Sequence, residues 1–312
     1  MTPAITIIGS LNMDFVVRVK ELPAPGQTVL GRDFMMTPGG KGANQACAAG
    51  RLGAGRVTIR MAGRVGYDLF ADHLRASLSA AGVDVASVCG SKSQATGVAL
   101  IWVDDAGENS IVVAPGANLE LRAADVESLR GALAGSRFAL FQLETPLETV
   151  RAAMALAHEE GAQAILDPAP AQPLSRELLE LADILTPNET EALALLGLPR
   201  ARVRLGDAPA LSRSLRGLGA RAVILKLGDQ GCLFDDGNRQ MHYPAFPVEV
   251  RDTTAAGDVF NAALAVALAG GQTIQGALQF ACAAAAVSVT RPGAQASIPT
   301  RAEVEYFLSG RV

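Results

Sequence analysis

"FALFQLETPLETVRAAMALAHEEGAQAILDP", residues 138–168, decides the fold. "FALFQLE" reads as a strand, residues 147–159 as a helix and "AQAILDP" as a second strand. Strand, helix and strand joined by short connections make the unit of a parallel sheet with helices on both faces. The rhythm continues downstream through a helix at 175–181, strand "DILTP", a helix at 188–196, a helix near 208–218 and strand "AVILKLG". The hairpin "GCLFDDGNRQMHYPAF" and two alanine-rich helices close the chain. Upstream, "AITIIGS" (4–10) is apolar and ends in Gly-Ser, as a buried parallel strand does. "KGANQACAAGRLG" (41–53) reads as a small-residue helix, "VTIRMAGRVG" as a strand, and helices are expected from about 68 to 81 and near 122–133. The expected fold is α/β, three layers around a mostly parallel sheet.

Two segments break the rhythm. "DFVVRV" and "QTVLGRDFMM", between 14 and 36, alternate and are split by "LPAPG"; residues 95–115 form two strand-like runs around "DDAGEN", a hairpin signal. Both are expected in a small sheet projecting from the main body. The chain shows no tandem repeat and no linker long enough to separate domains, so residues 1–312 read as one domain.

Composition narrows the partners. A net charge of −4 without a basic block disfavours nucleic acid and membrane surfaces. Cys47, Cys89, Cys232 and Cys282 form no CxxC pair and read as buried thiols in a reducing, cytoplasmic setting. The first residues lack a basic leader and carry Asp14 soon after the apolar run, so they read as a strand and not a signal peptide.

In an open α/β sheet, ligands sit beyond the carboxyl ends of the strands. At one such place stands "DTTAAGDVFNAALAVALAGG", 252–271. Asp258, ahead of an apolar run, reads as a helix N-cap. It also reads as a base. Ala255, Ala256 and Gly257 leave amide N–H groups uncovered at the positive end of a helix, a nest for phosphate oxygens. A carboxylate there repels phosphate, but it can take the proton of a hydroxyl that attacks phosphorus. "TPGGKGANQA" (37–46) is not a Walker A loop, since Gly42 follows Lys41, and no GxGxxG occurs. Lys41 and Asn44 lie three apart, on one helix face, within joint reach of a polyol. Asn188 with Glu191 reads as a capping box.

"GGKGANQA" (39–46) and "DTTAAGDVFNAAL" (252–264) resemble the two signature regions of the ribokinase-like (PfkB) sugar kinases. "GSLNMDF", "QLETP", "DPAPA", "TPNETEA" and "TRPGAQASIP" resemble the same family, in its order and spacing, from about residue 4 to 308. The resemblance implies a base at Asp258, with Ala255, Ala256 and Gly257 as anion hole. It implies sugar contacts at Asn12, Asp14, Gly40, Lys41, Asn44 and Glu144. Nucleotide contacts fall at Asn188, Lys226, Gly228, Gly231, Gly257 and Cys282. A monovalent-cation site, usually for potassium, falls on Asp252, Thr254, Ser288, Arg291, Gly293 and Ser297, largely through backbone carbonyls. Glu191 is placed near Mg2+ through water. The segments at about 12–37 and 95–115 become a β-sheet lid that often pairs two subunits as a homodimer.

Met13, bulky between two sugar ligands, and Cys282, where relatives carry polar residues, depart from the pattern. Lys226 either meets the nucleotide or points outward. The expected reaction is ATP-dependent phosphorylation of D-ribose at its 5-hydroxyl. The alternatives are a kinase for deoxyribose, a nucleoside or another sugar, and a non-catalytic sugar or nucleotide sensor on the same fold.

Overall fold

The first strand, β1 (Ala4–Ile8), is buried along its whole length, as befits an apolar run with sheet neighbours on both sides. β2 (Asn12–Arg18) and β3 (Arg32–Gly39) precede α1 (Lys41–Gly53), β4 (Thr58–Val65) and α2 (Leu69–Ala80). β5 (Val83–Gly90), β6 (Gly97–Val103) and β7 (Asn109–Ala114) follow. Two 3-10 turns, Gly116–Glu120 and Ala123–Leu129, lead to α3 (Arg130–Leu133) and β8 (Ser136–Phe141). Then come α4 (Leu147–Glu159), β9 (Gln163–Leu166), α5 (Arg176–Leu179), β10 (Ile184–Leu185), α6 (Glu189–Leu195), α7 (Ala208–Gly217) and β11 (Ala222–Lys226). The hairpin β12 (Cys232–Asp235) and β13 (Gln240–Tyr243) precedes α8 (Ala256–Ala269), α9 (Ile274–Ser288) and α10 (Arg301–Ser309). This computed structural model describes residues 2–310.

The main sheet has nine strands in the order β13-β12-β11-β10-β9-β8-β1-β4-β5, and antiparallel pairing is confined to β12 with its neighbours β11 and β13. A second sheet, β3-β2-β6-β7, is mixed: β2 pairs with β6 in parallel, while β3 and β7 run antiparallel to their neighbours. The two interruptions of the strand–helix rhythm thus meet in one small sheet.

Aromatics are scarce, and the core uses small residues to bring helices close. Ala43, Ala46, Ala262, Ala263, Ala281 and Ala284 are fully buried in one cluster with Leu52, Leu264 and Leu278. Without large side chains between them, α1, α8 and α9 approach closely, and dispersion over many short contacts replaces a few large ones. Met13 belongs to this cluster. On β2 successive side chains face opposite ways, so Met13 points into the core and does not shape the pocket wall.

Four local expectations need correction. Cys89, read as a buried thiol, is exposed, because it lies on an outward-facing position of an edge strand. β5 (Val83–Gly90) has no counterpart in the expected elements. The strand ends the main sheet and alternates buried and exposed residues, so it forms no continuous apolar run. The helix expected near 122–133 is a 3-10 turn followed by a single α turn, Arg130–Leu133. The second arm of the first strand pair begins at Arg32, not at Gln27, because β3 is extended only where it pairs with β2. Among the described residues, no helix is long and apolar enough to cross a membrane.

Candidate active site

The parallel strands deliver their C-terminal ends to one edge: Ile8 before Gly9-Ser10-Leu11, Leu166 before Asp167, Leu185 before Asn188, and Lys226 itself. Asn188 forms an isolated parallel bridge with Lys226, so these two ends are adjacent. α8 begins over this edge. Its N-cap is Ala255, at φ 59°, a left-handed conformation that costs a residue with a Cβ about 1–2 kcal/mol. The chain enters the helix in this way with no side-chain cap. The Ala256 amide bonds the Thr253 carbonyl (3.2 Å). The amides of Gly257 and Asp258, in the first turn, have no acceptor among the described residues. A Cβ on Gly257 would lie 3.3 Å from the Lys226 Nζ, so a cation stands over the bare turn.

Asp258 is not the N-cap. Its carboxylate turns away from the first-turn amides toward α1, where Asn44 Nδ2 donates to Oδ2 (3.1 Å) and Gln45 Nε2 donates to Oδ1 (3.1 Å). Gln45 Nε2 also donates to Asp167 Oδ2 (3.1 Å), and Lys226 Nζ closes an ion pair with Asp167 Oδ1 (3.0 Å). Burial first, and Asp167 second, push the Asp258 carboxyl up to about 6, against the pull of Lys41. That value lies close to neutrality, where a carboxylate is a useful base. Lys226 points inward, which removes the outward alternative.

The six residues expected to meet the sugar come from β2, the start of α1 and the segment that follows β8. Asn12 and Asp14 are buried on β2. Asn12 Oδ1 accepts from Asn118 Nδ2 (2.7 Å), and Asn118 also bonds both the amide and the carbonyl of Leu11. Gly39 lies against Asp14: a Cβ there would fall 2.0 Å from the carboxylate. Gly40, at φ 87°, turns the chain into α1 and brings the Lys41 amide to Glu144 Oε2 (3.0 Å). Ser10 Oγ donates to the same oxygen. Burial pushes Asp14 up to about 7, with Glu144 and Asp258 adding to it. Burial opposes the charge on Lys41, but Asp258, Asp167, Glu144 and Glu191 outweigh it and hold the ammonium above its usual range. Asn44 Oδ1 is buried without a hydrogen-bond partner, an acceptor that a sugar hydroxyl would satisfy.

Next to this cluster opens a cavity of about 820 Å³, lined by Lys41, Asp167, Asn188, Lys226, Gly228, Gly231, Cys282 and the Ala255–Asp258 turn. Part of its wall is apolar and includes Phe246, Val250 and Ala286, a surface suited to a flat base. Asn12, Asp14, Gly40, Asn44 and Glu144 do not line it; Lys41 and Asp258 link the two regions. Asn188 and Glu191 form a full capping box: the Glu191 amide bonds Asn188 Oδ1 (2.9 Å) and the Asn188 amide bonds Glu191 Oε2 (2.8 Å). Cys282 faces Cys232 across 3.7 Å, both thiols free.

The residues expected to hold a monovalent cation are joined only in some places. Asp252 accepts from the Thr254 amide (2.9 Å), the Thr254 hydroxyl (2.6 Å) and the Gly293 amide (2.7 Å). Burial works against its charge, but these bonds hold the carboxyl below its ordinary value. The Arg291 guanidinium turns to Glu303 (2.6 Å). Ser288 and Ser297 donate their hydroxyls to the carbonyls of Ala285 and Ala294. A carboxylate, a hydroxyl and main-chain carbonyls are a hard-oxygen set of the type an alkali cation accepts.

Reading the sequence alone did not single out Gln45, Asn118 or Asp167 as site residues. Gln45 stands inside the quoted glycine-rich motif and Asp167 ends a strand at the sheet edge where ligands bind; those positions were the available signals.

The fold and this constellation are those of a phosphoryl-transferring sugar enzyme, and the chain belongs to the pfkB family of carbohydrate kinases, which matches residues 2–301. It is 40% identical to the ribokinase of Haemophilus influenzae over 308 residues, 99% of each chain. Its structure resembles that of the ribokinase of Thermotoga maritima, with a TM-score of 0.88 at 39% identity over 98% of this chain and 99% of the other. It also resembles the ribokinase of Arabidopsis thaliana solved with ribose and ATP, with a TM-score of 0.89 at 31% identity over 99% of each.

Proposed function

We propose that the chain transfers the terminal phosphoryl group of ATP to the 5-hydroxyl of D-ribose, giving ribose 5-phosphate. The observation that carries this reading is the pairing of a buried base, Asp258, with the open amides of its own helix turn. Phosphoryl transfer asks little covalent chemistry of the protein and depends on alignment and on relief of charge. Asn12, Asp14, Lys41, Asn44 and Glu144 fix the sugar so that its primary hydroxyl meets Asp258. Asp258 takes the hydroxyl proton as the oxygen attacks phosphorus. The Ala255–Asp258 turn, with Lys226 above it, receives the negative charge on the moving group. The adenine lies on the apolar wall near Phe246 and Cys282, with Asn188, Gly228 and Gly231 along the nucleotide.

Asp14, Glu144, Asp167, Glu191 and Asp258 outnumber Lys41 and Lys226 around this centre. A tetra-anionic nucleotide therefore needs further positive charge. Mg2+ bound to the phosphates would supply it, with Glu191 as the residue that would hold its water. K+ would sit at Asp252 and Thr254, beside the turn that meets the phosphate. Residues 1–312 act as one domain, with the small sheet as a lid over the sugar and as the contact between two subunits. The sensor alternative has no use for a base so placed.

Asp258→Asn tests the reading in a coupled ADP-release assay. Turnover is expected to fall roughly 10²–10⁴-fold, with ribose affinity by calorimetry changed only a few-fold. Unchanged turnover overturns the role of Asp258. A panel of pentoses, hexoses and nucleosides checks the acceptor, and preference for any sugar over D-ribose overturns the substrate.

A further inference from the structure

Gln45 is fully buried on the inner face of α1, one residue beyond Asn44. Its carboxamide has a defined orientation, because Gln142 Nε2 donates to Gln45 Oε1 (2.7 Å). The oxygen is thereby engaged, and the nitrogen faces two carboxylates, Asp258 and Asp167, at 3.1 Å each. Gln142 is seated against Gly9: a Cβ at Gly9 would fall 2.0 Å from Gln142 Oε1, so the glycine at the end of β1 makes room for it. A chain of contacts thus runs Gly9, Gln142, Gln45, then the two aspartates. Burying an amide this deeply is worthwhile only where it is bonded at both ends, and both ends are bonded here.

Resting on the function proposed above, we infer that Gln45 is a positioning residue for the base: held by Gln142, its carboxamide fixes the Asp258 carboxylate and ties it to Asp167. Two carboxylates that share a buried site repel, and each makes the other harder to ionise. A neutral donor shared between them stabilises both charges without adding a cation that would compete for phosphate. The groups facing Asp258 are Lys41 on α1, Asp14 on β2, and Asp167 with its partner Lys226; Glu144 and Glu191 complete the field through Lys41. Of these surroundings, Asn44 and Gln45 are the side chains that hydrogen bond to Asp258.

The test compares pH profiles of kcat/KM for ribose in the full chain, wild type and Gln45→Met, with Asp258→Asn as control. Wild type should lose activity as the pH falls through about 6, where Asp258 protonates. In Gln45→Met the acid limb should move up by roughly 0.5–1 pH unit, with kcat falling more than KM for ribose rises. Gln142→Met, which frees the Gln45 oxygen, should move it in the same direction by less, and it serves if Gln45→Met does not fold. An unmoved limb in both variants, with only Tm lowered, would leave Gln45 a packing residue and overturn the inference. If Asp258→Asn keeps full activity, the function reading fails instead, so the two failures are distinguishable.

Discussion

Asp14 shows how a residue proposed to bind the sugar is maintained at a cost. Its carboxyl sits near 7, well above the 3.8 of an exposed aspartate, because burial disfavours the charge and Glu144 and Asp258 repel it. A raised folded-state value means that the native protein holds a proton the unfolded chain releases. Stability is therefore lost as pH rises from about 4 to about 7, and above that window the full penalty is present. Asp14→Asn should raise the melting temperature at pH 8 by roughly 2–4 °C, equivalent to a gain of about 1 kcal/mol, while weakening ribose binding. A melt at pH 8 paired with ribose calorimetry checks both; a lower Tm together with intact affinity counts against this account. The same residue scale shows what a sequence reveals of a site. Asp258, Lys41 and Asn44 stood out because each lies in a short stretch rich in glycine and alanine at the start of a helix. Gln45 and Asp167 did not, because their importance lies in facing each other across 122 positions of chain, a relation that only folding creates.

At the scale of elements, the N-terminus of α8 and the C-terminus of α9 are stitched together through Asp252. Its carboxylate joins the Thr254 turn to Gly293, so the turn proposed to receive phosphate is anchored from the far side. Asp252→Ala should raise the K+ concentration needed for half-maximal activity and lower kcat by about tenfold or more, since it removes the acceptor of three bonds and losing even one charge-assisted bond costs about 1.5–3 kcal/mol. Titration of turnover with KCl against NaCl reads this, and an unaltered K+ response argues against Asp252 at a cation site. Elements with one strong local signal were legible in the sequence. β1 carries an apolar run, α1 a small-residue pattern and α4 an amphipathic one, and all three fall where expected. β5 was not, because an edge strand presents half its residues to water. The segment 123–133 was not, because a polar turn of 3-10 geometry and a short helix carry the same composition as one longer helix.

For the whole molecule, the small sheet is the region with unfinished surface. Phe34, Met35, Ile111 and Val112 are each half exposed or more on its free strands, and residues on both faces contribute. Exposed apolar area of this kind on a sheet edge is a pairing surface or a hazard. The double variant Ile111→Glu, Val112→Glu should turn a dimer into a monomer in sedimentation velocity, at unchanged Tm within a few degrees. A monomeric wild type at micromolar concentration would remove the homodimer from the reading.

This sheet is joined to the body at places that matter for the chemistry. β2 leaves β1 after Gly9-Ser10-Leu11, and β3 runs through Gly40 directly into α1, the helix whose next residues grip Asp258. On the proposed function, a strand displaced by an arriving carbohydrate would therefore pull on the same helix that holds Asp258. Occupancy and readiness become geared, as a latch is to its bolt. On the proposed function, a sugar too short to engage β2 would be bound yet turned over sluggishly, and idle hydrolysis of ATP by water would be suppressed until the acceptor is home.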